Sequence, residues 1–419
     1  MPDIYTDSSF YDVIVVGGGP AGASAAFFLV QAGKRVLVLE KEHLPRYKTC
    51  GGGLSVRFLR EQFPFSFDPV LKTSISSISY VNHSLISTIP LAPDAIGVVM
   101  RDELDEYLLS QSGAEVVQGA SVTSVKELAD KVVVETQDGC RYAAAYLIGA
   151  DGANSMVARS LGLRPRRLMA AAIEAEISVP PEVMRQFEKR LVFIMGEINR
   201  GYMWIFPKPD HLTIGIGALH PKPGQLQNTL KKVMGRYGIN LDNNTRLRGH
   251  PIPIYTHRER VTSRRTLLVG DAAGLVDPFS GEGIRFAIKS GRLAAESIIS
   301  EHPERYSKAV YRVIGLNHIL TLLLSILFYF IPDPFVFLGT PNPFSTQGVV
   351  DMLADRMTTT EFIFFSFFTL PVFAGTELIA RSLHRLGHAQ LSDRIRAWVY
   401  PDDVSASYRQ VSPAIDLLP

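Results

Sequence analysis

The chain's first ordered pattern is Tyr11-Asp-Val-Ile-Val-Val16, a β-branched apolar run that predicts a strand buried in a parallel sheet. It leads directly into Gly17-Gly-Gly-Pro-Ala-Gly22 and then into the Ala-rich stretch AGASAAFFLVQA, which predicts a tight turn followed by a helix. Gly33 stands where a C-terminal cap belongs, and Arg35-Val-Leu-Val-Leu39 predicts a second strand ending at Glu40. These pieces make a βαβ unit. The same alternation returns later, with a helix over Met100–Gly113, a strand over Lys131–Thr136 and an apolar strand over Ala144–Gly152 that ends in a tight turn. Thr266–Gly274, TLLVGDAAG, repeats the strand-into-glycine design. Between them, roughly residues 169 to 260 hold short strand-like runs such as RLVFIMG and LTIGIGAL, separated by Pro and Gly, which predict a sheet-rich second domain.

Past residue 303 the pattern changes. Val313–Pro332 carries no charged residue and has the length of a membrane span, about 20 residues. Asn317, His318 and Pro332 argue against a span; the run reads as well as an apolar helix covering a greasy pocket or lying in a bilayer face. Phe362–Gly375 is a second uncharged run, too short to span.

Composition sharpens this picture. With 419 residues, 46% hydrophobic and 20% charged, the chain exceeds the size of a single core, so at least two domains are expected. The net charge of +2, without a long basic stripe, argues against a nucleic-acid partner. Arg164-Pro-Arg-Arg167 reads as a solvated basic turn, with an anionic head group or a diphosphate as the alternative. Two cysteines, Cys50 and Cys140, provide neither a disulfide framework nor a metal-ligand pattern, so no metal is expected and a reducing compartment fits. The N-terminus MPDIYTDSSF lacks the order of a signal peptide, so a chain that starts in the cytoplasm is expected.

Gly17, Gly19 and Gly22 form GxGxxG in its proper setting, a strand before and a helix after, with Glu40 closing the next strand. Gly17 permits the turn, Gly19 lets backbone N–H groups approach a pyrophosphate, Gly22 lets helix and strand pack, and Glu40 accepts from a ribose hydroxyl. An adenine dinucleotide is implied. This motif alone leaves NAD and FAD open.

The segments around Asp151-Gly152 and Gly270-Asp271, the latter running on through Pro278, Gly281 and Gly283, resemble the DG and GD segments of the flavoprotein group that includes the aromatic hydroxylases. That resemblance implies FAD, with Asp271 on its ribityl chain, the stretch from Pro278 at the flavin's pyrimidine edge, and Arg101, one helical turn before Asp105, near its phosphates. Three further segments narrow it: Tyr202-Met-Trp204-Ile-Phe206-Pro-Lys208, with Gly215 six residues on; Lys48-Thr-Cys50-Gly51-Gly52; and Gly281-Glu-Gly283-Ile284. They resemble the YxWxFPK-x6-G, KxCGG and GEGI signatures of the geranylgeranyl reductase family, in order over about residues 11 to 300.

The resemblance implies an α/β fold: a discontinuous Rossmann-like FAD-binding domain (11–75, 100–168, 262–302), a mostly antiparallel substrate domain (76–99, 169–261) and an apolar helical region (303–419). Lys48, Gly51 and Gly52 would join the cofactor residues. Strand alternation puts Tyr202, Trp204 and Phe206 on one face, a flat wall for a polyprenyl tail; the bland alternative is ordinary core. The implied reaction is reduction of isolated carbon–carbon double bonds in a prenyl lipid, prenyl diphosphate or prenylated pigment, by hydride from reduced FAD and a proton. Aromatic faces would steady the developing positive charge. Cys50, Tyr202 or a water would be proton source, and Glu282 serves equally well as a helix cap. NADPH or ferredoxin would supply electrons, since no second dinucleotide motif is visible. Peripheral contact with the cytoplasmic face of a membrane is expected, and oligomeric state is not legible. The rival readings are an FAD-dependent monooxygenase or halogenase, and a redox-neutral lycopene-type cyclase or non-catalytic flavoprotein.

Overall fold

The computed structural model describes residues 10–82, 85–164, 166–242, 244–330 and 342–400. The polar N-terminal residues 1–9, Pro165 and Pro332 lie outside these. Two compact units emerge, Met1–Lys48 with Met100–Ala170 and Pro251–Leu323, and Thr49–Val99 with Ala171–His250 and Leu324–Pro419. The expected boundaries divided the chain differently: residues 49–75 group with the second unit, and the apolar C-terminal third is split at Leu323.

The first unit is built on a sheet in the order Glu115–Gln118, Val36–Glu40, Phe10–Val16, Arg141–Gly149, Val132–Thr136, Val122–Glu127, with Thr266–Leu268 also paired to Arg141–Gly149. The pairs among Glu115–Gln118, Val36–Glu40, Phe10–Val16, Arg141–Gly149 and Thr266–Leu268 are parallel, as continuous apolar runs require, and the last two strands are antiparallel. The strand expected from Ala144 begins at Arg141, because its start pairs with Val132–Glu135. In the strand-into-glycine segment the strand covers Thr266–Leu268, and Gly270–Ala273 turns into a 3-10 helix closed by left-handed Gly274.

Helix Pro20–Gln31 packs directly on helix Ile284–Ile299. No side chain fits between them at Gly291, where a Cβ would lie 2.3 Å from the Ala21 carbonyl oxygen. Ser24 Oγ donates to the Ile288 carbonyl at 3.0 Å across the same seam. The expected helix over Met100–Gly113 runs Arg101–Ser110, with Asp102 and Glu103 in its first turn, where they favour the helix dipole.

In the second unit the large sheet runs Arg248–Ile254, Leu168–Ile177, Leu212–Leu219, Gly201–Pro207, Arg190–Met195, Ser77–Asn82, Leu85–Pro90. One face carries the core: Met203, Ile205, Ile194, Ile214 and Ile216 pack with Leu230 and Met234 of helix Gln225–Arg236 and Phe187 of helix Pro181–Phe187. A small antiparallel sheet joins Gly53–Ser55, Ile96–Val99 and Leu71–Ile75.

The second apolar run belongs to a longer element than expected. Thr358 and Glu361 form a reciprocal capping box, and the helix continues through Pro371 to Arg385. With 27 residues it is long and apolar enough to cross a membrane, as is Pro303–Tyr329. Buried Glu377 ties this helix to its neighbour Ala389–Val399, accepting from Arg396 at 2.9 and 3.0 Å and from the Tyr400 hydroxyl at 3.0 Å.

Replacing Gly291 by Val should force the two helices apart and cost about 1–3 kcal/mol, the range for overpacking. Urea denaturation should show a lower midpoint with an unchanged slope.

Candidate functional site

Each unit carries its own constellation. In the first, Gly17 holds φ +104° and its missing Cβ leaves room for the Ala150 carbonyl oxygen, which a methyl would approach to 2.4 Å. Gly22 lies against the Gly17 carbonyl, and Gly19 precedes helix Pro20–Gln31. Glu40 is buried; its Oε2 accepts from the Gly18 N–H at 2.6 Å and its Oε1 from the Glu42 N–H at 3.0 Å, so the carboxylate also shapes the loop. Arg101 grips buried Asp105 through Nε at 2.8 Å and Nη2 at 2.9 Å. Arg46, which no motif in the sequence marks, shares that carboxylate at 2.9 Å, and its Nη2 lies 3.6 Å from where a Gly19 Cβ would stand.

The second unit presents the aromatic wall. Tyr202, Trp204 and Phe206 occupy the face of strand Gly201–Pro207 opposite Met203 and Ile205. The core is therefore made by the aliphatic residues, and the aromatics form a separate layer. Phe193 extends it, with ring centroids 5.9 Å from Tyr202 and 5.3 Å from Phe206, and Tyr80 stacks on Phe193 at 5.4 Å. Gly215 is the cross-strand partner of Trp204, and its absent side chain is where the indole lies, a Cβ falling 2.1 Å from the ring. This pairing accounts for the six-residue spacing after Lys208.

The Cys50–Gly53 segment lies along that wall: a Cβ on Gly51 would stand 2.7 Å from the Phe206 ring and 3.2 Å from Trp204. Gly52 has φ +74° and faces the Val99 carbonyl, whose residue donates its N–H back to Gly52 at 2.9 Å. The Cys50 N–H donates to Glu174 Oε1 at 2.7 Å, and the Gly52 N–H points at Cys50 Sγ at 3.4 Å. Lys208, though cationic, is 3% exposed and donates from Nζ to the Gly51 carbonyl at 2.8 Å. Burial pushes its ammonium down to about 8, while Cys50, Glu174 and Glu176 act to raise it. Glu174 belongs to no motif and Lys208 only closes the aromatic one, because nothing in their spacing says that they fold back onto Cys50. Lys48 is half-buried, two residues before this segment, and exposed Cys140 sits in a turn of the first unit beside Asp138.

Comparison with known proteins shows the family. Residues 11–162 match the family model described as pyridine nucleotide-disulphide oxidoreductase. A geranylgeranyl diphosphate reductase of Rhodobacter capsulatus is 32% identical over 69% of this chain and 75% of its own length. The chain belongs to the geranylgeranyl reductase family. It is an FAD-dependent oxidoreductase. A menaquinone reductase of Mycolicibacterium smegmatis is also 32% identical, over 71% of this chain and 78% of that protein. In fold, the chain is similar to a geranylgeranyl bacteriochlorophyll reductase-like protein from Thermoplasma acidophilum, with a TM-score of 0.71 over 85% of this chain and 96% of that one at 24% identity.

The residues of the first unit of this family member fit FAD. Arg46 Nη1 is buried and finds no acceptor among the described residues, beside the glycine loop, as a diphosphate site demands. Asp151 turns one oxygen to the N–H groups of Met156 (2.7 Å) and Val157 (3.0 Å), while its Oδ1 is buried without a partner among the described residues. Asp271 does not cap its 3-10 turn, and its carboxylate makes no hydrogen bond among the described residues. Asp277 organises the loop through Pro278, its Oδ1 accepting from the Phe279 and Ser280 N–H groups at 3.0 and 2.7 Å; Gly281 N–H donates to the Asp277 carbonyl. Gly283 caps the helix that Ile284 begins. Glu282 is no cap: it pairs with Arg285 at 2.7 Å.

Two side chains outside the expected set hold these turns. His318 is fully buried between the rings of Phe286 and Tyr255, its Nε2 3.0 Å from the Leu275 carbonyl and its Nδ1 3.6 Å from Asp277 Oδ2; burial lowers its pKa. Arg164 is the correction to the solvated basic turn. It is 3% exposed, pairs with Glu259 at 2.7 Å, and donates to the carbonyls of Ala272 at 3.1 Å and Asp271 at 3.4 Å. Its guanidinium fills the space a side chain on Gly274 would need. Arg167 ties the same segment to the Ala153 carbonyl.

Substituting both Arg164→Gln and Glu259→Gln removes this charged clamp without leaving a lone buried charge. Flavin fluorescence titration should then show FAD affinity lowered roughly tenfold or more, the value of a charged hydrogen bond that shapes the turn.

Proposed function

We propose that the protein reduces isolated carbon–carbon double bonds in a polyprenyl chain carried by a lipid, a diphosphate or a pigment. The observation that carries this reading is the aromatic wall, with the glycine-lined Cys50 segment lying on it. A layer of apolar aromatic rings suits a prenyl tail, and the similarity to a geranylgeranyl diphosphate reductase and a menaquinone reductase supports it.

In this reading Gly17, Gly19, Gly22, Arg46, Arg101 and Asp271 hold FAD, together with Glu40, Asp151 and the turn through Pro278, Gly281, Gly283 and Ile284; Lys48, Gly51 and Gly52 complete the set. When bound and reduced, FAD supplies the hydride; NADPH or ferredoxin is the outside reductant. Tyr202, Trp204 and Phe206 orient the alkene and exclude water. Their π faces stabilise the carbon that becomes positive, since an isolated alkene has no carbonyl to take up charge. Cys50 supplies the proton to the other carbon.

The second unit also offers a surface for the substrate's lipid environment. Along helix Thr359–Arg385, Phe364, Phe367 and Phe368 are 62%, 72% and 69% exposed, and Leu378 and Ile379 continue the apolar surface. Arg381 and Arg385 follow in its last turns, and Trp398 of the next helix is almost fully exposed. Apolar side chains ending in cations and an indole suit the interface of a bilayer.

Anaerobic enzyme reduced with dithionite should add two hydrogens per double bond to geranylgeranyl diphosphate or to a prenyl lipid, read by mass spectrometry. An added oxygen, a halide requirement, or no change in mass with every prenyl substrate would refute the reading. Trp204→Leu should retain FAD yet lose on the order of tenfold in turnover, the worth of one aromatic face near a cationic carbon. In vesicle sedimentation, the full chain should bind lipid, and replacing Phe364, Phe367 and Phe368 together by Ser should weaken binding by at least about tenfold per side chain.

A further inference from the structure

Buried charge is concentrated at the Cys50-Gly51 pair of the second unit. The Cys50 N–H is held by Glu174, which is 1% exposed, and the Gly51 carbonyl is held by Lys208, which is 3% exposed. Two ionisable groups thus hold the backbone on either side of Cys50-Gly51, in the segment whose glycines lie against the aromatic wall. Leaving either of them inside the protein only to fix a backbone would be costly, since a neutral amide or hydroxyl makes the same hydrogen bond without desolvating a charge. Glu174 stands on strand Leu168–Ile177, and Glu176, on the same face two residues later, is exposed. Both glutamates and the thiol bear on the ionisation of Lys208. Glu176 is thus the exposed member, and Glu174 the buried one, of the two carboxylates on this strand face.

We propose that Lys208 is the proton reservoir behind Cys50. The inference rests on the prenyl-reductase reading. The Cys50 S–H bond breaks as a C–H bond forms at one alkene carbon, while the hydride forms the other C–H bond. The thiolate then takes a proton from the Lys208 ammonium, and the neutral amine regains one from water. One hydride and one proton are consumed per double bond, the reduced cofactor is the only reductant, and Lys208 and Cys50 end as they began. Lys208 acts through Cys50, so it is a positioning and proton-supplying residue. Its burial fits this role, because an ammonium held at about 8 keeps its proton near neutrality and releases it readily.

Two measurements test this. In apoprotein with 13C-labelled lysine, the Lys208 Cε resonance, assigned as the one missing from Lys208→Arg, should titrate near pH 8. Titration with the ordinary lysines above about pH 10 would overturn the proposal whatever the substrate. In the second, holoenzyme kept reduced by excess dithionite turns over geranylgeranyl diphosphate at steady state, so that Cys50 must regain its proton in every cycle, across pH 6 to 10, about the span in which a lysine so placed ionises. Wild type should slow as pH rises through about 8, where the ammonium is lost. Lys208→Met and Lys208→Arg should both lose about 10²–10⁴-fold and that pH limb, with FAD affinity unchanged. Arginine keeps the charge and the hydrogen bond to Gly51 but holds its proton, so a Lys208→Arg enzyme of wild-type rate would leave Lys208 a clamp only. A wild type that reduces no prenyl substrate would overturn the parent reading and the relay together, whereas an active wild type with unimpaired variants overturns the relay alone.

Discussion

The alternation of side chains along strand Gly201–Pro207 is the constraint on which the second unit depends. Met203 and Ile205 enter an aliphatic core closed by two helices, which obliges Tyr202, Trp204 and Phe206 to stand on the other face. A shift of pairing by one residue would exchange these sets and destroy both the core and the wall. The register is pinned by Gly215, since only a residue without a side chain can sit under the Trp204 indole. The glycines of the Cys50 segment follow from the same cause: a backbone laid against aromatic rings has no room for a Cβ.

Charge is used differently in the two units. In the first, Asp105 is shared by Arg46 and Arg101, and Arg164 is neutralised by Glu259 while holding the turn around Asp271. These buried guanidiniums are each satisfied in part by the protein, and Arg46 keeps a nitrogen to spare among the described residues. In the second unit, charge converges on the backbone of Cys50 and Gly51. The first pattern suits the binding of a polyanionic cofactor, the second the handling of a proton.

The apolar C-terminal runs show how far local reading carries. Phe362–Gly375 looked too short to span because charged residues bound it in sequence. In the fold, the capping box at Thr358 and continuation through Pro371 make it the middle of a longer helix, whose Glu377 is neutralised by Arg396 from the next one. His318, which weakened the spanning reading of the first run, is buried where it supports the turn after Asp271.

By itself, the sequence determined the elements whose cause is local: the strand–glycine–helix nucleotide loop, the alternating aromatic strand, the helix of Arg101, and the family to which these spacings belong. Each follows from a period or from a missing side chain, and both are written in consecutive residues. Only the tertiary structure decided which distant side chains meet them. Arg46 reaches Asp105, Arg164 leaves the solvent for the carbonyls of Asp271 and Ala272, and Glu174 and Lys208 close on Cys50. Those contacts join residues tens to more than a hundred positions apart, and long flexible side chains carry no period that would announce where burial will place their charge.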